Sequence, residues 1–582
     1  MTGRAPVSRG PAGCAVLLVF LALSPAPAAA QTAAPATTSS APAVRAGLPT
    51  AALAAGGLVR PSRSDVAPAG RRLTPRRAGA LAGGLQAVRD ERRSYPRSTR
   101  EVYLKGPGNW QVSYFARVPP GEPRKEIAQV LVRDRDGRVL EAWTDYKVAW
   151  TMARGYPGAF GRIVNAPWVW IPLALLFVLP FVDPRRPLRM LHLDLLVLSA
   201  FSVSLAFFNA ARIDISVPLV APLLAYLLGR MLWIGLHRRD ADQQARQPLQ
   251  LLVPLRWLAI AVIFLVGFRV ALNVTKSNVV DVGYASVIGA DRFGDGRQLY
   301  GAFPSENAYG DTYGPVIYAA YVPFEQALTW SGSWDELPAA HGAAIAFDLL
   351  ACLLCFLVGR RVRGPTLGIA LAYGWVTFPF TLYVSMSNAN DALVTVLLLA
   401  ALLAVARPAR RGALLALAGL TKFAPLALAP LFAMHPRPRV RSAALFAAGF
   451  ALAAVLAFVP VVAHNDLRDF WDATVGFQAQ RGSPFSPWGL YDPDVSWLDS
   501  AQRVVQVAAL LLALVLAFVP RRRDIVGLAA LSAAILLALQ LGVSHWFYLY
   551  IPWFFGLVMI ALLGRAGLAG GMSPLRRHAA ER

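Results

Sequence analysis

From residue 163 to residue 565 the chain is a succession of apolar runs about twenty residues long, separated by short polar turns and by two long loops at 273–340 and 463–500. A run of that length crosses a bilayer as a helix, because a helix satisfies its own backbone polar groups where lipid offers no partner. The runs lie at 163–182, 190–210, 216–236, 251–272, 341–359, 364–385, 390–406, 442–462, 501–519, 524–542 and 546–564. Composition agrees: 56% of the 582 residues are hydrophobic and 15% are charged, whereas soluble domains carry roughly 25% charge. An ordinary soluble enzyme is excluded, and so is disorder over most of the length. The net charge of +24 then points to membrane-flanking loops before nucleic acid, and no nucleic-acid partner is expected.

The loops sort by charge. Those at 183–189, 237–250, 360–363, 407–411, 435–441, 520–523 and 565–582 hold 22 Lys and Arg, and the alternate loops at 211–215, 273–340, 386–389, 463–500 and 543–545 hold 6. Basic loops stay in the cytoplasm, so the long loops and the N-terminal region are expected outside and the C-terminus inside. Two apolar stretches would break this order if they crossed. We expect 313–328, which contains Pro315 and Pro323, to lie on or dip into the outer face. We expect 414–434, broken by Pro425 and Pro430, to be a re-entrant hairpin opening from the cytoplasmic side. Lys422 sits at its centre, and an ionisable residue at that depth is a functional candidate by default.

The N-terminus carries Arg4 and Arg9, an apolar stretch at 14–23 and then Ala26-Pro27-Ala28-Ala29-Ala30. This reads as a signal peptide over 1–30, with a retained anchor as the alternative. Residues 31–95, rich in Ala, Pro, Ser, Thr and Arg, read as a flexible basic linker. A small extracytoplasmic α+β domain is expected over 96–162. Residues 109–118 alternate as a strand does, 127–133 is a second strand, Asp136-Gly137 is a hairpin turn and 138–144 returns. Residues 31–162 carry 22 basic and 10 acidic side chains, either as a solvated basic face or as a surface for anionic headgroups or polymer. Cys352 and Cys355 share a helical face with no second ligand pair and read as buried small residues.

Chemistry is expected on the outer face. Asp281 follows the span at 251–272 by nine residues in Asn278-Val279-Val280-Asp281-Val282-Gly283-Tyr284, a segment that returns to the membrane surface. It is either a solvated loop acid or a carboxylate that takes a proton from a hydroxyl nucleophile. Asp291, Asp295 and Asp311 share its loop. Arg481, in a loop rich in turn residues and aromatics, is either a surface cation or a bidentate grip on phosphate. His545, beside Trp546-Phe547-Tyr548, is either an interfacial residue of an aromatic belt or a contact to phosphate or a sugar hydroxyl. Asn388, Asn390 and Asp391 read as helix caps, with Asp391 deep enough to touch a site.

In this order the motifs resemble the GT-C superfamily of membrane glycosyltransferases, and within it the bacterial branch of polyprenol-phosphate-mannose-dependent mannosyltransferases. The resemblance rests on Asp281 with Gly283-Tyr284, Gln298-Leu299-Tyr300-Gly301, Tyr313-Gly314-Pro315 with Pro323, Ser387-Asn388-Ala389-Asn390-Asp391, Thr421-Lys422-Phe423-Ala424-Pro425, Ser483-Pro484-Phe485-Ser486 and the run from His545 to Trp553. It covers roughly 250–565 and leaves 163–250 as accessory transmembrane helices and 566–582 as a cytoplasmic tail. What it implies is an all-α polytopic protein of about eleven transmembrane helices plus the hairpin, in a bacterial inner membrane with its active face outside. It implies transfer, with inversion, of a hexosyl or pentosyl unit from a polyprenyl-phosphate donor to an extracytoplasmic glycan or lipid acceptor. Asp281 would be the base. Arg481, His545 and Lys422 would bind the donor phosphate, and Tyr284, Asp291, Asp311, Tyr313, Asn390, Asp391 and Trp488 would be substrate contacts. A strict Asp-x-Asp pair is absent around Asp281, so no metal or other cofactor is assumed. A transporter or flippase of lipid-linked saccharides is the alternative function. It accounts for broken helices and Lys422 but not for long acid-bearing outer loops, and no internal repeat supports it. A purely structural membrane protein is a third reading, and it would tolerate loss of Asp281.

Overall fold

The computed structural model describes residues 58–118, 124–155, 160–237, 251–304, 307–464, 466–491, 496–519 and 524–565. The expected signal peptide at 1–30, the first part of the linker at 31–57 and the tail at 566–582 lie outside the described residues. The chain divides into two compact units, one of Ala33–Ala159 with Ser202–Val217 and one holding the rest.

In the first unit five antiparallel strands follow one another across a sheet in chain order: β1 (Leu58–Val59), β2 (Thr99–Lys105), β3 (Asn109–Phe115), β4 (Glu126–Arg133) and β5 (Val139–Thr144). The expected hairpin is present, with Gly137 at a φ of 72° that only glycine adopts freely, and Asp136 bridging to Arg133. The sheet begins well before the expected boundary at residue 96. Helices Pro75–Gly83 and Gln86–Ser94 put Ala78, Ala82 and Val88 into one core with Trp110, Val112, Tyr114 and Val130. The linker expected over 31–95 is therefore corrected from Leu58 onward. Its Ala- and Arg-rich composition conceals a helix capped by Thr74, whose hydroxyl accepts from Arg77 N–H, with Pro75 at the first turn. Asp134 anchors the entry to that helix by accepting from the Arg72 and Leu73 N–H groups and from the Trp110 indole.

The second unit is helical. Among the described residues seven helices are long and apolar enough to cross a membrane: Met190–Asn209, Ile213–Leu236, Leu255–Lys276, Pro338–Arg363, Val440–Ala463, Trp497–Phe518 and Ile525–Gly542. The pair Pro365–Thr377 and Pro379–Met386, bent by 56°, makes an eighth if it is one span. The expected count of eleven is not reached, although every expected segment is helical. Pro167–Phe181, Asp391–Leu403 and Tyr548–Gly564 are shorter apolar helices. Turns cut them short: the first contains Pro172 and Pro180, and the second stops at the turn before Pro408. At 1.5 Å per residue such helices reach about 20 Å, against about 30 Å of hydrocarbon.

The expected hairpin at 414–434 takes the form of Pro408–Gly419, a turn through Lys422, and Ala424–Leu428 continuing into Ala429–Met434. Its first arm packs tightly on Val440–Ala463. A Cβ on Gly412 would lie 2.2 Å from the Phe446 carbonyl oxygen, and one on Gly449 would lie 2.0 Å from that of Ala409, so both glycines permit the close approach. The stretch at 313–328 is the 13-residue helix Pro315–Ala327. It lies against Asp281–Gly294, where Gly289 leaves room for the Tyr318 ring.

Candidate active site

Two loop segments pair to form the base of the site. Asn278 N–H donates to Met386 O at 3.2 Å and Val280 N–H to Ser387 O at 3.1 Å. Asn388, in a left-handed conformation with φ 48°, clamps them. Its amide donates to Ser277 Oγ and to Asn278 O, both at 2.9 Å, and it accepts from Asn273 Nδ2 at 2.8 Å. Helix Asp281–Gly294 comes so close to this turn that a Cβ on Gly283 would sit 2.3 Å from the Asn388 carbonyl oxygen. Asp281, at the first turn of one helix, and Asp391, at the first turn of another, are thus carried on segments locked to each other.

Asp391 is fully buried, and its Oδ1 accepts from Lys422 Nζ at 2.8 Å and from Trp553 Nε1 at 3.0 Å. Asn390 precedes the helix but makes no side-chain cap, donating instead to Ser286 Oγ. The capping role expected of Asn390 and Asp391 is therefore corrected: their side chains make tertiary contacts. The Lys422 ammonium stands over three rings, 4.9 Å from the centroid of Tyr313, 5.5 Å from Trp553 and 5.8 Å from Tyr550. The apex of the hairpin therefore reaches the start of Asp391–Leu403.

The Asp281 carboxyl stands near Lys422, Asp391 and Arg481, and the space among these groups is the candidate recess. Asp281 keeps an exposed surface, while protein atoms crowd around its carboxyl. Burial pushes its carboxyl above the usual range, against the Val282 N–H and the cations Arg481 and Lys422, which favour the charged form. Arg481 lies with Nη2 3.5 Å from His545 Nε2 and its guanidinium over the Phe477 ring. His545 Nδ1 is 2.8 Å from Ser483 Oγ. Burial first, then Arg481 and Lys422, hold this imidazole well below its ordinary value, so it is neutral. A neutral ring facing a guanidinium through Nε2 carries its proton on Nδ1, which donates to Ser483.

The two long loops that supply these groups are tied together. Leu299 N–H donates to the buried Asp466, Gln298 to Asp469, and His464 Nε2 lies 2.6 Å from Gly296 O. Six expected site residues thus converge: Asp281, Tyr313, Asp391, Lys422, Arg481 and His545. Five others are engaged elsewhere. Tyr284 is buried in a stack with Trp334, Asp291 pairs with Arg297, Asp311 accepts from Gly301 N–H, Asn390 holds Ser286 and Trp488 donates to Leu541 O. Tyr550 and Trp553 also stand at the Lys422 ammonium, and the sequence does not single them out individually. Their signal lay in the aromatic run after His545, which reads equally as an interfacial belt.

Residues 312–544 match Glycosyltransferase family 87. The matched stretch takes in Tyr313, Asp391, Lys422 and Arg481 and stops one residue short of His545. It indicates a membrane glycosyltransferase of the GT-C-like kind, and with the apolar helices a multi-pass membrane protein. No curated protein matches the chain.

Proposed function

We propose that this glycosyltransferase moves a sugar from a polyprenyl-phosphate donor to a hydroxyl of an extracytoplasmic glycan or lipid acceptor, with inversion at the anomeric carbon. The observation that carries the reading is the meeting of one accessible carboxylate, Asp281, with Arg481, Lys422 and a neutral His545 in a single recess. A glycosyl phosphate needs both kinds of group. Asp281 takes the proton of the acceptor hydroxyl, whose oxygen forms the new bond to the anomeric carbon from the face opposite the phosphate. The bond from that carbon to the phosphate oxygen breaks, and its electron pair leaves with the lipid phosphate. Arg481 meets that growing charge with a planar pair of donors, and Lys422 adds its field from the hairpin apex. Asp391 acts as a positioning residue: it holds the ammonium of Lys422, while Tyr313, Tyr550 and Trp553 keep it in place.

The raised carboxyl of Asp281 suits a base, since an acid nearer neutrality accepts a proton with more driving force than an ordinary aspartate. Exposed apolar side chains on the membrane helix Leu255–Lys276, such as Ile263 and Phe264, offer the prenyl chain a lipid-side path. Incubating the purified full chain in detergent with polyprenyl-phosphate mannose and other polyprenyl-phosphate sugars tests the reading. The expected result is release of polyprenyl phosphate together with a glycosylated acceptor. Release from none of these donors, by protein shown to be folded, would contradict it.

A further inference from the structure

At the other end of the first hairpin arm, eleven residues before Lys422, a second cation is buried. Arg411 is 1% exposed. It donates to Val405 O at 2.6 Å, to Ser442 Oγ at 3.1 Å and to Ala433 O at 3.5 Å, and its Nε has no partner among the described residues. All three acceptors are neutral. No Asp or Glu occurs anywhere from 392 to 465, a stretch that holds six arginines and Lys422. Among the described residues no carboxylate pairs with Arg411; a buried guanidinium without a counter-charge is costly, so the fold leaves an anion to be supplied from outside.

The place for it is open. A recess of about 480 Å³ is lined by Arg411, Arg437, Arg439, Arg441, Ser442 and Leu445, four cations and no acid among them. Arg437, Arg439 and Arg441 are exposed at its rim, and helix Val440–Ala463 begins there, so its unpaired N–H groups add to the positive field. Leu445, at the edge, starts a strip of exposed apolar side chains that continues through Leu452, Leu456 and Val459 along the same helix. Phosphate at one end and hydrocarbon along the side is the shape of a phospholipid. We propose that this recess binds the phosphodiester headgroup of an anionic membrane lipid, with an acyl chain along Val440–Ala463. Arg411 is the buried anchor, and Arg437, Arg439 and Arg441 close the rim. The site is separate from the donor recess and does not depend on the catalytic reading.

Native mass spectrometry of the purified full chain in detergent, with added phosphatidylglycerol, phosphatidylcholine or inorganic phosphate, tests this. Phosphatidylglycerol is expected to stay bound to the wild-type chain. Its retention should weaken about tenfold or more in R437Q/R439Q/R441Q, which removes only exposed side chains. A charge-matched variant, R185Q/R186Q/R189Q, is expected to keep the lipid. Equal retention by the rim variant, equal loss in the charge-matched variant, equal binding of phosphatidylcholine, or displacement of the lipid by millimolar inorganic phosphate would each overturn the proposal.

Discussion

Lys422 has one carboxylate and three aromatic faces around its ammonium, and among the described residues Asp391 pairs with no other cation. Breaking such a pair from one side leaves a buried charge. Lys422→Met should therefore lower stability by about 3–5 kcal/mol, seen as a fall in thermal midpoint in detergent, and pairing it with Asp391→Asn should restore part of the loss. Equal midpoints for the single and paired variants would show that the two side chains do not depend on each other. Acidity separates the roles of the other two groups. Asp281 must be ionised to accept a proton and its carboxyl is raised, so kcat/KM should climb with pH through a midpoint above the ordinary aspartate value of about 4. His545 is depressed in the folded chain. As pH falls below the unfolded imidazole value of about 6.5, the unfolded state takes up a proton that the folded state refuses. The stability contributed by neutral His545 is present above that value and declines as pH falls towards the folded one. His545→Asn should flatten this decline in a pH series of thermal midpoints. An unchanged slope would remove His545 as its source.

At the scale of elements, small residues decide where functional groups stand. Gly283 allows helix Asp281–Gly294 to touch the Asn388 turn, and a methyl group there would meet a carbonyl oxygen at 2.3 Å. Gly283→Ala should displace Asp281 by a fraction of an ångström to an ångström and lower kcat on the order of 100-fold, with near-normal donor binding. A kcat within twofold of wild type would show that the close approach does not set the geometry. These contacts also mark what the sequence could convey. Periodicity and turn residues exposed the Asp136-Gly137 hairpin and the Pro-broken stretch around Lys422, because both are written locally. The length of Asp391–Leu403 was not legible, because turns on either side of an apolar run shorten a helix without changing its hydropathy. Nor were the helices at 75–83 and 86–94, whose alanines look like linker until Trp110 and Tyr114 are there to cover them. Asp391 and Lys422 stand out in the sequence by their depth, and Asp281 by its place in a loop that returns to the membrane surface. Asp311 and Asn390, expected as substrate contacts, are bonded within the scaffold.

For the whole molecule, the charge asymmetry of the loops predicts that the recess opens outside the cell and the Arg437–Arg441 segment faces the cytoplasm. Both described native cysteines, Cys352 and Cys355, are buried, which leaves little background for thiol labelling. A cysteine placed at Ser331 should react with an impermeant maleimide in intact cells, and one at Arg437 only after permeabilisation. The reverse pattern would invert the orientation. The central claim is narrower: one carboxylate in this recess does the proton transfer. The most direct measurement is the single-turnover rate of sugar transfer from a polyprenyl-phosphate donor by the wild-type chain and by Asp281→Asn, with donor binding measured in parallel. Loss of transfer by about a thousandfold, with donor binding kept within a few-fold, is the predicted result. Transfer by Asp281→Asn at the wild-type rate would contradict the account.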